Sequence, residues 1–167
     1  MLHEGAIRSS SLERLEGLAN IIMQDLAITS NDLFVVASNS GRNAFPIEVL
    51  LEAKKRGCKT IAITSLHHSQ QVSSRHSSGK RLFEVADLVI DNGTHYGDAS
   101  LEIPGLASKI APLSSIAGLF IINSMIAEGV ALAVQKGYVP DIFVGANTQI
   151  DAQPINIERW QQRIKRL

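Results

Sequence analysis

The chain has 167 residues, 45% of them apolar and 19% charged, enough for one domain with a buried core. Its 16 basic and 16 acidic residues cancel, which argues against the broad positive field of a nucleic-acid or acidic-membrane binder. The single Cys58 cannot form an internal disulfide, and the first thirty residues carry His3, Glu4, Arg8, Glu13, Arg14, Glu16 and Asp25 without an apolar leader core, so the expected compartment is the cytoplasm.

Along the chain, Leu12, Leu15, Leu18, Ala19, Ile22 and Leu26 recur at helical spacing and predict one amphipathic helix over Ser11–Leu26, capped by Ser9, Ser10 or Ser11. Thr29–Asp32 is a turn, and the apolar run Leu33–Ala37 reads as a buried parallel strand. Behind it, Pro46 suits the first turn of a helix carrying Ile47, Val49, Leu50, Leu51 and Ala53. Lys54, Lys55 and Arg56 complement its negative end, and Gly57 supplies the residue that leaves it. Lys59–Thr64 is the next strand, making Leu33–Thr64 one right-handed β-α-β unit. A polar loop over Ser65–Lys80 leads to a short helix at Arg81–Ala86, a third strand at Leu88–Ile90, and a long loop over Asn92–Lys109. A helix over Leu113–Lys136 is apolar nearly all round. Pro112, Ser114, Ser115, Gly118, Asn123, Ser124 and Glu128 speak against a membrane span, so a buried central helix is expected. Gly137–Pro140 is a turn, Ile142–Val144 a short extended piece, and Ile157, Trp160, Ile164 and Leu167 share one face of a last, basic helix.

The segment richest in chemical meaning is Ser38-Asn39-Ser40-Gly41-Arg42-Asn43, which joins the carboxyl end of the first strand to the helix behind it. Unpaired N–H groups and the positive end of the helix dipole make such a turn a seat for phosphate. Ser, Asn and Gly also favour an ordinary capped strand-to-helix turn, so the residue types alone leave both readings open. Gly79-Lys80 is no nucleotide-binding loop, because Ser74 stands where its first Gly belongs and Arg81 replaces the required hydroxyl. His67, His68 and His95 lack metal-ligand spacing, so no metal and no cofactor is expected.

The Ser38–Asn43 turn resembles the phosphate loop of SIS (sugar isomerase) domains. Ser73-Ser74-Arg75-His76-Ser77-Ser78-Gly79-Lys80-Arg81-Leu82 and Val144-Gly145-Ala146-Asn147-Thr148 extend the likeness to phosphoheptose isomerase-like phosphosugar-binding proteins. The resemblance implies a single SIS domain over 1–167, an α/β fold: a three-layer α/β/α sandwich on a Rossmann-like parallel sheet. It also implies a phosphorylated sugar as ligand, a homodimer or homotetramer, and no nucleic-acid or membrane partner. It covers the C-terminal two-thirds of such a domain, without the usual N-terminal helices and first strand, so an exposed strand edge beside Leu33–Ala37 is expected.

The resemblance also implies residue roles. Ser38, Asn39, Ser40, Gly41, Arg42 and Asn43 would hold phosphate through side chains and backbone N–H groups, with Ser65 and Lys80 beside them. A sugar-phosphate aldose–ketose isomerase acting through an enediol needs a base for the proton shared by C1 and C2, and a group that serves the ring or carbonyl oxygen. Glu128 and Glu4 are the candidate bases, and His76 is the candidate for the oxygen. The alternative is a module that binds or senses a sugar phosphate without turning it over, or an inactive fragment.

Overall fold

The computed structural model describes residues 5–144, 147, 160 and 161. Glu4, residues 145, 146 and 148 of the second motif, and most of the basic C-terminal helix lie outside the described residues. The chain divides into two compact units, Met1–Ile121 and Ile122–Leu167.

In the first unit, β1 (Leu33–Ala37), β2 (Lys59–Thr64) and β3 (Leu88–Asp91) form a parallel sheet in the order β1-β2-β3. Leu33 pairs with Lys59 and Ala37 with Ile63, while Ile61 pairs with Leu88 and Thr64 with Asp91. The mixed α/β fold with a parallel sheet agrees with the SIS-type expectation. Parallel strands need crossovers, and the helices in them supply the core. The helix α3 (Ala44–Lys55) buries Ile47 and Leu50 completely, against Ala62 of β2 and against Leu82 and Val85 of α5 (Leu82–Val85), and buries Ala53 against Met23 and Cys58. Each fully buried aliphatic side chain contributes roughly 1.5–3 kcal/mol.

The end of α3 follows the sequence closely. Gly57 sits at φ 79°, its N–H reaching the Lys54 carbonyl while Cys58 N–H reaches that of Ala53, the paired bonds of a Schellman stop. Lys54 does more than complement the dipole, because its Nζ donates to Asp87 at 2.7 Å and to the Val85 carbonyl at 3.0 Å. Asp87 in turn accepts the N–H and hydroxyl of Thr60, so the start of β3 is fastened to β2.

Four features depart from the sequence reading. The first helix is two: α1 (Ala6–Glu13) and α2 (Leu18–Met23), separated at Gly17, which adopts a left-handed φ of 86°. Ser9, Ser10 and Ser11 therefore lie inside α1 and cap nothing, and the buried face is Ala19 and Met23 rather than Leu15, Ile22 and Leu26. The polar loop contains a short helix α4 (Leu66–Ser69), which Ser65 caps by accepting the His68 N–H. The long loop contains an antiparallel hairpin, β4 (Ala99–Leu101) with β5 (Ile110–Pro112). Finally, α6 (Ser114–Gln135) was expected to be buried, yet Gly118 alone is buried along it. By length and composition α6 would also suit a bilayer crossing. Its residues to Ile121 belong to the first unit and the rest to the second. Asp98 caps its start, accepting the N–H groups of Leu113 and Ser114 and the Ser114 hydroxyl.

The first strand β1 stands at the edge of its sheet, with Leu33 and Val35 exposed. Beside it runs a groove of about 420 Å³ lined by Val35, Ala37 and Ser38 of the strand side, Phe45 and Val49 of α3, and Glu13 of α1.

Candidate functional site

The loops that leave the carboxyl ends of β1, β2 and β3 meet, as expected where ligands bind in open parallel sheets. Asn39 is their hub. Its carbonyl accepts the Ser65 N–H and the Thr64 hydroxyl, both at 3.0 Å. Its Oδ1 accepts Asn92 Nδ2 at 2.9 Å and the Thr94 hydroxyl at 2.8 Å, which fixes the amide and leaves Nδ2 buried without an acceptor. Ser65 is fully buried and donates its hydroxyl to the Thr94 carbonyl at 2.6 Å, so this expected phosphate ligand is occupied in joining two loops.

The turn itself is rich in free donors. Ser38 N–H closes the sheet on the Ile63 carbonyl, but the next five N–H groups, from Asn39 to Asn43, meet no acceptor among the described residues. Neither do the hydroxyls of Ser38 and Ser40. A row of such N–H groups at the start of a 12-residue helix, α3, is a cradle for an anion. Gly41 is required here by crowding as well as conformation. It sits at φ 57°, and a Cβ would lie 3.1 Å from Leu82 Cβ, Ser69 Oγ and Thr64 Oγ1. The space beside its Cα is thus filled by protein, and Ser69 Oγ is buried there without a partner.

The Ser73–Lys80 loop is bound to this turn. Arg75 N–H donates to the Arg42 carbonyl at 2.7 Å, and Leu82 N–H to that of Gly41 at 2.7 Å. Arg42 Nε and Nη2 reach the carbonyl and hydroxyl of Ser73, and Arg75 Nη1 donates to Asn43 Oδ1 at 2.9 Å. Arg81 holds the other flank. It pairs with Glu84, which this partner brings down to a pKa of about 2, and Nη1 reaches the carbonyls of Ser69, Gln70 and Val72. Lys80 is exposed, and its ammonium meets no described partner.

His76, Glu48 and Glu16 gather behind that loop, with one ligand atom of each within 4.8 Å of the others. The geometry suits a clasp better than a cation. Glu16 accepts the N–H and hydroxyl of Ser77, which hold its carboxyl below the usual range. Glu48 Oε1 accepts the Gly17 N–H at 2.7 Å. His76 Nδ1 lies 2.7 Å from the Ser78 hydroxyl and accepts the Ser78 N–H at 3.2 Å, while Nε2 lies 3.8 Å from Glu48 Oε1. Glu48 Oε2 is buried without a partner. Glu128 is exposed on the part of α6 that belongs to the second unit. His68 packs on Tyr96 with ring centroids 4.8 Å apart, and desolvation pushes its pKa down. His67 and His95 are exposed.

Sequence reasoning thus named the turn but missed Asn92, Thr94, Arg75, Glu48 and Glu16. Asn92 and Thr94 stood in the long loop over Asn92–Lys109, whose length was the available signal. The others act through contacts that no local pattern announces.

Comparison with known proteins accords with this arrangement. Residues 1–65, which contain the turn and β2, match the SIS domain, and that domain points to phosphosugar binding. The UPF0309 protein of Geobacillus sp. (strain WCH70) is 46% identical over 166 residues, covering 98% of this chain and 67% of its own length. That of Geobacillus kaustophilus is 46% identical over 165 residues, covering 99% and 65%. That of Thermoanaerobacter pseudethanolicus is 42% identical over 172 residues, covering 100% and 69%. The chain spans about two thirds of the length of these relatives. With a SIS domain at its start and this degree of identity along its length, the chain belongs to the UPF0309 family of bacterial proteins.

Proposed function

We propose that the Ser38–Asn43 turn binds the phosphate of a sugar phosphate, and that the protein is an aldose–ketose isomerase of the phosphoheptose isomerase-like kind acting through an enediol. The observation that carries the binding is the run of five N–H groups, Asn39 to Asn43, left without protein acceptors beside the orphaned Asn39 Nδ2. A phosphate dianion supplies the acceptors that these donors lack. The Ser38 and Ser40 hydroxyls complete the cradle, with Lys80 at its rim.

For the proton transfer, His76 has Nε2 to serve the ring or carbonyl oxygen, and Glu128 and Glu4 are the bases named from sequence. Glu48, whose Oε2 is buried and unpartnered near His76, joins them as the base that the geometry supports. The protein acts in the cytoplasm, in keeping with a chain of zero formal net charge and a buried, unpaired Cys58, and as a homo-oligomer like the proteins it resembles.

The test is a thermal-shift titration against aldose and ketose phosphates and inorganic phosphate, with Ser40→Ala as control. Affinity in that variant is expected to fall by about 1–3 kcal/mol, the worth of a hydrogen bond to a charged group. If no phosphate compound moves the wild-type melting temperature, the binding proposal fails. Turnover is read separately, as solvent deuterium entering the C1 or C2 position of the bound sugar. Binding without such exchange selects a sensing module, a reading favoured by one observation: no described carboxylate bonds to a residue of the turn.

A further inference from the structure

Asn43 is the N-cap of α3 and is nine-tenths buried, with extended backbone angles (φ −83°, ψ 154°) that suit a cap. An Asn in that place ordinarily turns Oδ1 onto the N–H of the second or third helical residue. Here it does not, and no side-chain cap bond is made. The third residue is Pro46, which has no N–H, so Phe45 is the one donor such a cap could serve. Oδ1 is instead engaged by Arg75 Nη1 at 2.9 Å. Arg75 is well placed to keep it, since its own N–H is anchored on the Arg42 carbonyl and the loop behind it is fastened by Glu16 to Ser77. Among the described residues Arg75 makes no salt bridge; burial, Arg42 and Arg14 act against its charge and Glu13 attracts it.

Resting on the phosphate reading above, we propose that Arg75 is a positioning residue: by holding Asn43 Oδ1 it keeps the helix from capping itself and leaves the Phe45 N–H and Asn43 Nδ2 open to phosphate, beside the N–H groups of the turn. The sequence carries a residue that would fill the anion seat from within. A guanidinium from a loop 32 residues away withdraws it.

The experiment is a double-mutant cycle read by calorimetric titration of inorganic phosphate and glucose 6-phosphate into the full chain: wild type, Arg75→Gln, Asn43→Ala and the double variant. Arg75→Lys is added as a conservative control. The expected result is that Arg75→Gln weakens phosphate binding roughly tenfold. In the Asn43→Ala background the same change does nothing further, because the group it acts through is gone. Without ligand, Arg75→Gln is expected to melt no lower than wild type, and its Phe45 amide to gain hydrogen-exchange protection as Asn43 returns to the cap. Additive losses in the cycle would mean that Arg75 touches phosphate directly and would overturn the positioning role. So would unchanged affinity, or an unchanged Phe45 amide. Each of these leaves the phosphate site standing, whereas a wild-type chain that binds neither ligand removes the site and Arg75's role together.

Discussion

Glu16 accepts both the amide N–H and the hydroxyl of Ser77, at 2.6 and 2.8 Å, across 61 residues of sequence. This contact ties the region between α1 and α2 to the loop that carries Arg75 and His76. Glu16→Gln is expected to lower the hydrogen-exchange protection of the Ser77 amide and to weaken phosphate binding several-fold, while the sheet keeps its protection. The same contact is sensitive to acid. Ser77 holds the carboxyl below its ordinary 4.5, so the clasp is in place above that value and is lost as pH falls through the lowered one. A pH titration of the Ser77 amide resonance should inflect below 4.5, and an inflection at or above that value would contradict the contact.

Gly41→Ala places a methyl group 3.1 Å from three side-chain atoms at a backbone φ of 57°. The expected loss is about 2 kcal/mol of folding stability, measured by urea unfolding, because both the left-handed backbone and the crowding oppose the substitution. An unchanged midpoint would show that the turn can rearrange.

The stability of the sheet should depend on acid through Asp87. Lys54 and Thr60 lower its pKa from 3.8 to about 2, so its contribution is full above 3.8 and vanishes as pH drops toward 2. Wild type should lose melting temperature over that interval more steeply than Asp87→Ala, which starts lower. Parallel curves would place the acid sensitivity elsewhere.

Leu50→Ala removes a fully buried side chain where α3 meets β2 and α5. A loss of roughly 2–5 kcal/mol is expected in chemical unfolding. The equivalent truncation at Ile126, which is exposed on α6, should change stability far less.

How much of this was legible in the sequence depends on the range of the forces involved. β1, α3 and β2 were readable nearly to the residue, because Leu33–Ala37, Pro46 and Gly57 each act on their own neighbourhood. The first helix was read as continuous because its apolar spacing runs on through Gly17, and a left-handed glycine leaves no mark on periodicity. The β4–β5 hairpin was hidden by short strands around Ser100 and Ala111 that carry little strand propensity. α6 was read as buried from composition, yet composition cannot say what covers a helix. Within the site, the turn was visible as a motif. Arg75 was not singled out, since its effect passes through Asn43 and exists only once the loop has docked.

Asn39, Ser65 and Thr94 lie on three successive passes of the chain through the sheet, and they are joined by hydrogen bonds between their loops. The anion seat itself lies in one stretch, Ser38–Asn43, but the setting of its Asn39 amide does not. That setting comes into being only after β3 has docked on β2, so a partly folded chain with β1, α3 and β2 in place lacks the Asn92 and Thr94 bonds that set the Asn39 amide. A bound ligand therefore acts late on the folding route: it leaves the rate of folding nearly unchanged and slows unfolding, lengthening the lifetime of the native protein rather than hastening its formation.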